Sequence, residues 1–110
     1  MGQDATTKVW VGSNDTGILE RLPKEVLSEL EENWDGLVAD GVQLQTFRVH
    51  DEVEGLGVQL LDHDWNNGPK ELNLGELAMK AAELQIKVAA IFKRWGIVDE
   101  PKVFLATDFS

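Results

Sequence analysis

Apolar residues recur along this chain with two periods, one typical of strands and the other typical of helices. Residues 8–11 form a β-branched and aromatic run that ends at Gly12, which predicts a short buried strand. In residues 42–49 apolar and polar residues alternate, but the parity changes between Gln45 and Thr46, which predicts a strand with a bulge. The chain therefore begins with a strand and returns to strand structure near its middle.

Two further apolar runs predict the remaining strands. Residues 58–61 follow an acidic, glycine-containing segment, residues 51–57, which we expect to be the loop of a β-hairpin. Residues 103–106 follow Pro101 and predict a final strand. The pattern thus gives about four strands in all.

A helical period of apolar residues covers residues 23–39, and acidic side chains occupy the opposite side. Pro23 suits the first turn of a helix, and Gly41 suits the left-handed position that follows one. We therefore expect an amphipathic helix with an acidic outer side.

A second helix carries the clearest boundary signals. Asn73 can cap its start, and Glu76 three residues later completes the pattern of a capping box. Gly96 marks its end, and Ile97 is placed for the apolar contact that follows such a cap. Alanines such as Ala82 widen its apolar stripe, so we expect this helix to be covered on most sides.

The resulting order is strand, helix, strand, strand, helix, strand. It predicts an α+β two-layer sandwich of about four strands with two helices on one face, in a ferredoxin-like topology. A length of 110 residues fits one domain, which we place at residues 8–110 behind a flexible N-terminus of residues 1–7.

Composition narrows the class of function. The chain has no cysteine, which removes disulfides, thiolate metal sites and cysteine nucleophiles. Its longest apolar run, residues 88–92, is far shorter than the ~20 residues of a membrane span, and residues 1–8 lack the pattern of a secretory signal. Twenty acidic against ten basic residues give a formal charge of −10, which disfavours nucleic acid and anionic membranes as direct partners. A cytoplasmic location is expected.

Two loops resemble ligand sites without matching them. Residues 12–17 have the glycine spacing of a phosphate-binding loop, but Ile18 and Leu19 stand where lysine and a hydroxyl are needed. Residues 62–68 have alternating oxygen ligands like a calcium loop, but the glycine comes one place late. We therefore predict plain turns at both, with a weak divalent site at residues 62–68 as the alternative, and no cofactor.

Catalytic signals are absent from the sequence. None of the serines lies in the Gly-x-Ser-x-Gly turn of a hydrolase, and His50 and His63 form a poor transition-metal set without cysteine. A non-enzymatic protein is expected, and a small enzyme with a site in a dimer cleft is the weakest alternative.

The charge is unevenly distributed. Residues 1–72 hold fifteen acidic and five basic residues, whereas residues 73–110 hold five of each. If the acids share one side, they form a surface that attracts a basic partner; otherwise they serve solubility. A basic surface of a nucleic-acid-binding protein is the partner we expect, bound by an inhibitor, immunity protein or nucleic-acid mimic. The candidate contact residues are Glu25, Glu29, Glu32, Asp51, Glu52, Glu54, Asp62 and Asp64.

Trp65 joins this set because it lies in a polar turn, where the apolar pattern gives no reason for a large aromatic side chain. It can serve as a binding anchor or fold back as a lid on the core. The remaining hypothesis is a homodimeric regulatory or assembly domain that senses a small ligand. It would dimerise through its sheet or through its second helix, where Ala82 and Ala89 permit close approach.

Overall fold

The computed structural model describes residues 5–33, 36–49 and 52–109. In these ranges a five-stranded antiparallel sheet packs against two α-helices. In chain order the elements are β1 (Ala5–Ser13), a 3-10 turn (Ile18–Arg21), α1 (Lys24–Glu32), β2 (Leu37–Ala39), β3 (Val42–Val49), β4 (Glu52–Asp64), a second 3-10 turn (Trp65–Asn67), α2 (Leu74–Arg94) and β5 (Lys102–Phe109).

The strands lie in the order β2-β3-β4-β1-β5, and every neighbouring pair is antiparallel. The α+β class is confirmed, but the predicted four-stranded ferredoxin-like arrangement is wrong. The described chain has five strands, because a short strand, β2, separates α1 from β3. Three consecutive strands therefore stand between the helices, where the sequence predicted two.

The additional strand replaces the end of the predicted first helix. That helix was expected over residues 23–39 but ends at Glu32, and residues 37–39 pair with β3. Asp40 and Gly41 form the connecting turn with φ of 51° and 79°. Positive φ at both central residues is the mark of a type I′ turn, which joins antiparallel strands tightly. Gly41 thus closes a hairpin and is not the exit of a helix.

β4 is much longer than predicted. It spans thirteen residues, and the expected loop at residues 51–57 lies inside the strand from Glu52 onward. The predicted bulge in β3 is wrong, because Phe47 pairs with Gly55 and Arg48 with Val53, so the extra residue at this register shift belongs to β4. Glycine in residues 51–57 was the reason for predicting a loop. Gly55 lies inside β4 instead, at a position where no side chain would fit. A Cβ atom on it would lie 2.4 Å from the Trp10 ring and 2.2 Å from the Ser13 carbonyl oxygen.

Apolar side chains are buried on both faces of the sheet. On one face, Leu44, Leu56, Val88, Ile91 and Phe92 are fully buried in a core that both helices cover. On the other face, the sheet itself carries an aromatic row. Trp10, only 3% exposed, stacks on Phe47 at 4.3 Å and lies 4.7 Å from Phe104 between ring centroids.

The boundary signals of α2 are confirmed. Asn73 Oδ1 accepts a hydrogen bond from the Glu76 amide at 3.1 Å. Gly96 has φ of 77°, and the Ile97 amide donates to the Phe92 carbonyl at 2.9 Å, which satisfies the last turn. At the other end of the chain β1 already begins at Ala5, while residues 1–4 lie outside the described ranges. No helix of the described chain is long and apolar enough to cross a membrane.

Candidate interaction surfaces

The acidic side of α1 is the first candidate surface. Glu25, Glu29 and Glu32 are exposed, and their spacing places them within about 60° around the helix axis. Val26, Leu27 and Leu30 are half-buried and pack against the core. Packing of the apolar side therefore turns the three carboxylates toward solvent.

These three carboxylates are not neutralised within the part of the chain that the structure describes. The ion pairs found there join Arg21 to Asp15 and Asp99, and Arg94 to Asp40 at 2.8 Å. Among the described residues, the acids in these ion pairs are Asp15, Asp40 and Asp99, and none of the three is a predicted contact residue. The charge of the α1 surface remains available to a second molecule.

A second acidic group stands at the end of β4. Asp62 and Asp64 are exposed, and as alternate residues of a strand they lie on the same face of the sheet. Lys8 and Thr6 of β1 are their register partners. Asp64 Oδ1 also accepts a hydrogen bond from the Asn66 amide at 2.9 Å, which caps the 3-10 turn.

The structure does not bring all the predicted contact residues together. Glu52 and Asp62 are ten residues apart along β4, which at about 3.3 Å for each residue gives a separation of at most roughly 33 Å. These two acids therefore lie near opposite ends of β4. Asp51 lies outside the described residues, as does the side chain of Glu54. The acids form separate groups and not one continuous patch.

Trp65 follows Asp64 directly in the chain, and contacts with β1 and β4 hold its side chain in place. It is 49% exposed, and its ring nitrogen donates a hydrogen bond to Thr7 Oγ1 at 2.7 Å. Thr7 is bonded in turn to Thr107 at 2.9 Å, and the His63 ring meets the indole edge-on at 4.8 Å. The indole is a fixed, half-exposed aromatic surface and not a lid on the main core.

A shallow polar cavity of ≈ 430 Å³ lies next to this tryptophan. Asp62, His63, Asp64, Asn67, Pro69 and Lys70 line it. His63 Nε2 lies 2.7 Å from the Gly68 carbonyl oxygen, so this ring is engaged with the backbone. Within the described ranges, no group of three or more His, Asp or Glu side chains is placed to hold a metal ion.

The loop that resembles a phosphate site is occupied by the protein's own side chains. Asp15 Oδ1 accepts from the Gly17 amide at 2.9 Å, which makes an Asx turn. Arg21 binds Asp99 through two nitrogen atoms at 2.7 and 3.1 Å, and Ser13 Oγ donates to Asp99 at 2.8 Å. The hydrogen bonds from Arg21 and then Ser13 lower the pKa of Asp99. This network, which the sequence did not suggest, joins the loop after β1 to the segment after α2.

An apolar surface that the sequence expected to be covered is instead exposed. Met79 and Ile86 of α2 are 74% and 73% exposed, and Leu105 of β5 is 72% exposed. Ala82 and Ala89 are exposed on the same helix. The sheet and α1 therefore cover only one side of α2.

Comparison with known protein families, with curated proteins and with solved structures finds no match to this chain.

Proposed function

We propose that this chain is a cytoplasmic, non-enzymatic protein-binding module that occupies a basic surface of another protein. The partner class is a nucleic-acid-binding protein, and the chain acts on it as an inhibitor, an immunity protein or a nucleic-acid mimic. Glu25, Glu29 and Glu32 provide the main contact. A cationic groove built for phosphates accepts a row of carboxylates on the same electrostatic grounds.

The observation that carries this proposal is the state of the α1 carboxylates. All three are exposed on one side of a helix, and none of them takes part in an ion pair with a described residue. A formal charge of −10 for the whole chain adds a long-range field that draws a basic partner toward it. Ion pairs between these carboxylates and lysine or arginine side chains of the same chain would have cancelled their attraction for a partner.

Asp62, Asp64 and Trp65 form the second contact in this proposal. The indole is fixed by Thr7, so little side-chain entropy is lost when a partner covers it. The carboxylates of Asp62 and Asp64 provide negative charge at the edge of this contact, which raises the association rate with a basic partner. These residues lie at the end of β4 and in the turn after it, and none of them belongs to α1.

The test begins with a pull-down from the native host at low salt, followed by identification of the captured protein by mass. Association with the purified partner is then measured by surface plasmon resonance for a variant carrying Glu25→Lys, Glu29→Lys and Glu32→Lys. We expect the association rate to fall at least about tenfold, and the wild-type rate to fall steeply as salt rises.

The matched control carries Glu20→Lys, Glu71→Lys and Glu100→Lys, which change the net charge equally at exposed positions outside α1. Circular dichroism verifies that both variants are folded. Equal slowing by the two variants would show that only total charge matters and would reject α1 as the contact. Binding that is indifferent to salt would reject the electrostatic proposal altogether.

A further inference from the structure

The exposed side of α2 has the spacing of a helix that packs against another helix. Gly75, Met79, Ala82, Ile86 and Ala89 follow one another at intervals of three and four residues, and all five are exposed. This is the spacing of apolar positions in paired helices. Met79 lies about 180° around the helix from the fully buried Val88, so this stripe points away from the protein's own core.

The stripe continues onto the edge of the sheet. Gln85 donates a hydrogen bond to the Pro101 carbonyl just before β5, which places this side of α2 beside the edge strand. On β5, Val103 and Leu105 are 45% and 72% exposed. Large apolar side chains are thus exposed on two neighbouring elements.

Charge identifies the molecule that fits this surface. Residues 73–110 hold five acidic and five basic residues, while the other residues carry the whole net charge of −10. A strongly basic partner is therefore drawn to the rest of the molecule and not here. Two copies of this chain that meet through these residues bring together segments without net charge.

Charge along α2 also determines the direction of packing. The first half of the helix carries Glu76, Lys80 and Glu83, whereas the second half carries Lys87, Lys93 and Arg94. Arg94 is paired with Asp40, but two copies in parallel would still place Lys87 and Lys93 of one helix against the same lysines of the other. In an antiparallel pair, the cationic end of each helix faces the acidic start of the other.

From these observations we propose that the protein forms a twofold homodimer in which the two α2 helices pack antiparallel through the Gly75, Met79, Ala82, Ile86 and Ala89 stripe. Ala82 lies at the middle of the stripe and lets the helices approach closely near the twofold axis. Val103 and Leu105 border the contact. This inference is independent of the proposed binding of a basic partner, because it involves none of the α1 carboxylates.

Analytical ultracentrifugation of the full chain tests the dimer. The wild type is expected to sediment at twice the mass of the chain at micromolar concentration. Ile86→Lys should weaken self-association at least about 100-fold, because each substitution enters the interface twice. Val98→Lys is the matched control, since Val98 is 91% exposed away from the stripe and the change in charge is the same. A wild-type monomer at all concentrations, or a dimer that tolerates Ile86→Lys, overturns the proposal.

Cysteine crosslinking tests the geometry, because the chain contains no cysteine of its own. Under mild oxidation, Ala82→Cys should give a covalent dimer, since the two copies of residue 82 lie beside the axis. Ala89→Cys should not, because seven residues of helix in each direction separate its two copies by about 21 Å, far beyond the ~6 Å Cα distance of a disulfide. Efficient crosslinking of both variants would indicate a parallel pair and overturn the antiparallel arrangement. Crosslinking of neither would overturn the contact itself.

Discussion

At the scale of single residues, a glycine of β4 leaves room for an aromatic ring of β1. Trp10 lies across β4, where Gly55 provides no side chain, and the ring stacks on Phe47 at 4.3 Å between centroids. Trp10 lies on the face of the sheet opposite the helices. Its ring occupies the space that a side chain at position 55 of β4 would otherwise take. Glycine and tryptophan thus depend on each other here.

Gly55→Ala is predicted to lower the free energy of unfolding by about 2–4 kcal/mol, because the new methyl group would clash with both the indole and the β1 backbone. Urea unfolding followed by tryptophan fluorescence measures the loss. Gly17→Ala is the control, since its Cβ would meet only Asp15 Oδ1 at 3.5 Å, an ordinary contact. Equal losses in both variants would contradict the assigned role of Gly55.

Asp99 makes a prediction about pH. Arg21 and Ser13 lower the pKa of this carboxyl in the folded protein below its value in the unfolded chain. The stabilisation is therefore fully present above the unfolded pKa of about 3.9, and it is lost as pH falls through the lower folded pKa. Asp99→Asn should be less stable than wild type at pH 7 and should show a shallower loss of stability below about pH 4. Urea unfolding between about pH 2 and pH 7 measures both curves.

The control for Asp99→Asn is Glu29→Gln, at an exposed carboxylate outside the Arg21 network. Both variants remove one carboxylate charge, so a difference between their pH profiles reflects the Arg21 network. Parallel profiles for wild type and Asp99→Asn would show that the bond to Arg21 contributes nothing to acid sensitivity.

At the scale of elements, the turn between β2 and β3 decides the course of the chain after α1. Asp40 and Gly41 both have positive φ, and only this conformation lets residues 37–39 turn back along β3. The dipeptide between two short apolar runs is a strong hairpin signal. The same runs also fit a helical period, and that interpretation extended the predicted helix too far.

Gly41→Ala is predicted to cost about 1–2 kcal/mol of unfolding free energy. A Cβ there would meet nothing within 4 Å, so the cost comes from the left-handed backbone alone. Gly41→Asn should lose less, since asparagine tolerates that conformation. Thermal unfolding of the two variants makes the comparison, and equal destabilisation would contradict a backbone origin.

At the scale of the whole molecule, net charge acts on stability as well as on binding. A charge of −10 on a chain of 110 residues repels itself in the compact state. The internal ion pairs of the described residues involve Asp15, Asp40 and Asp99, and most of the acids stay exposed to solvent. Screening by salt should therefore relieve a repulsion that folding creates.

Raising sodium chloride from about 10 mM to about 500 mM is predicted to increase the thermal unfolding midpoint by several degrees. The variant with lysine at positions 25, 29 and 32 has less charge to screen and should show a smaller increase. Differential scanning calorimetry at low protein concentration measures both. A midpoint that is unchanged or lowered by salt would contradict self-repulsion as a term in stability.

The sequence by itself determined the features that depend on neighbours along the chain. Asn73 and Gly96 bound α2 as expected, because a cap needs only the residues of one turn. The α+β class followed from periodicity in the same way. The excess of carboxylates is a property of composition and needs no structure.

Tertiary structure alone decided what depends on contacts between distant residues. Gly55 fits inside a strand because Trp10, far away in sequence, covers it, and Arg21 finds Asp99 across 78 residues. Whether acids share a side depends on the length of β4, which separates Glu52 from Asp62. The exposure of Met79 and Ile86 likewise follows from how much of α2 the sheet can cover. Local patterns record which side chains are apolar, but burial is a property of the surfaces that meet.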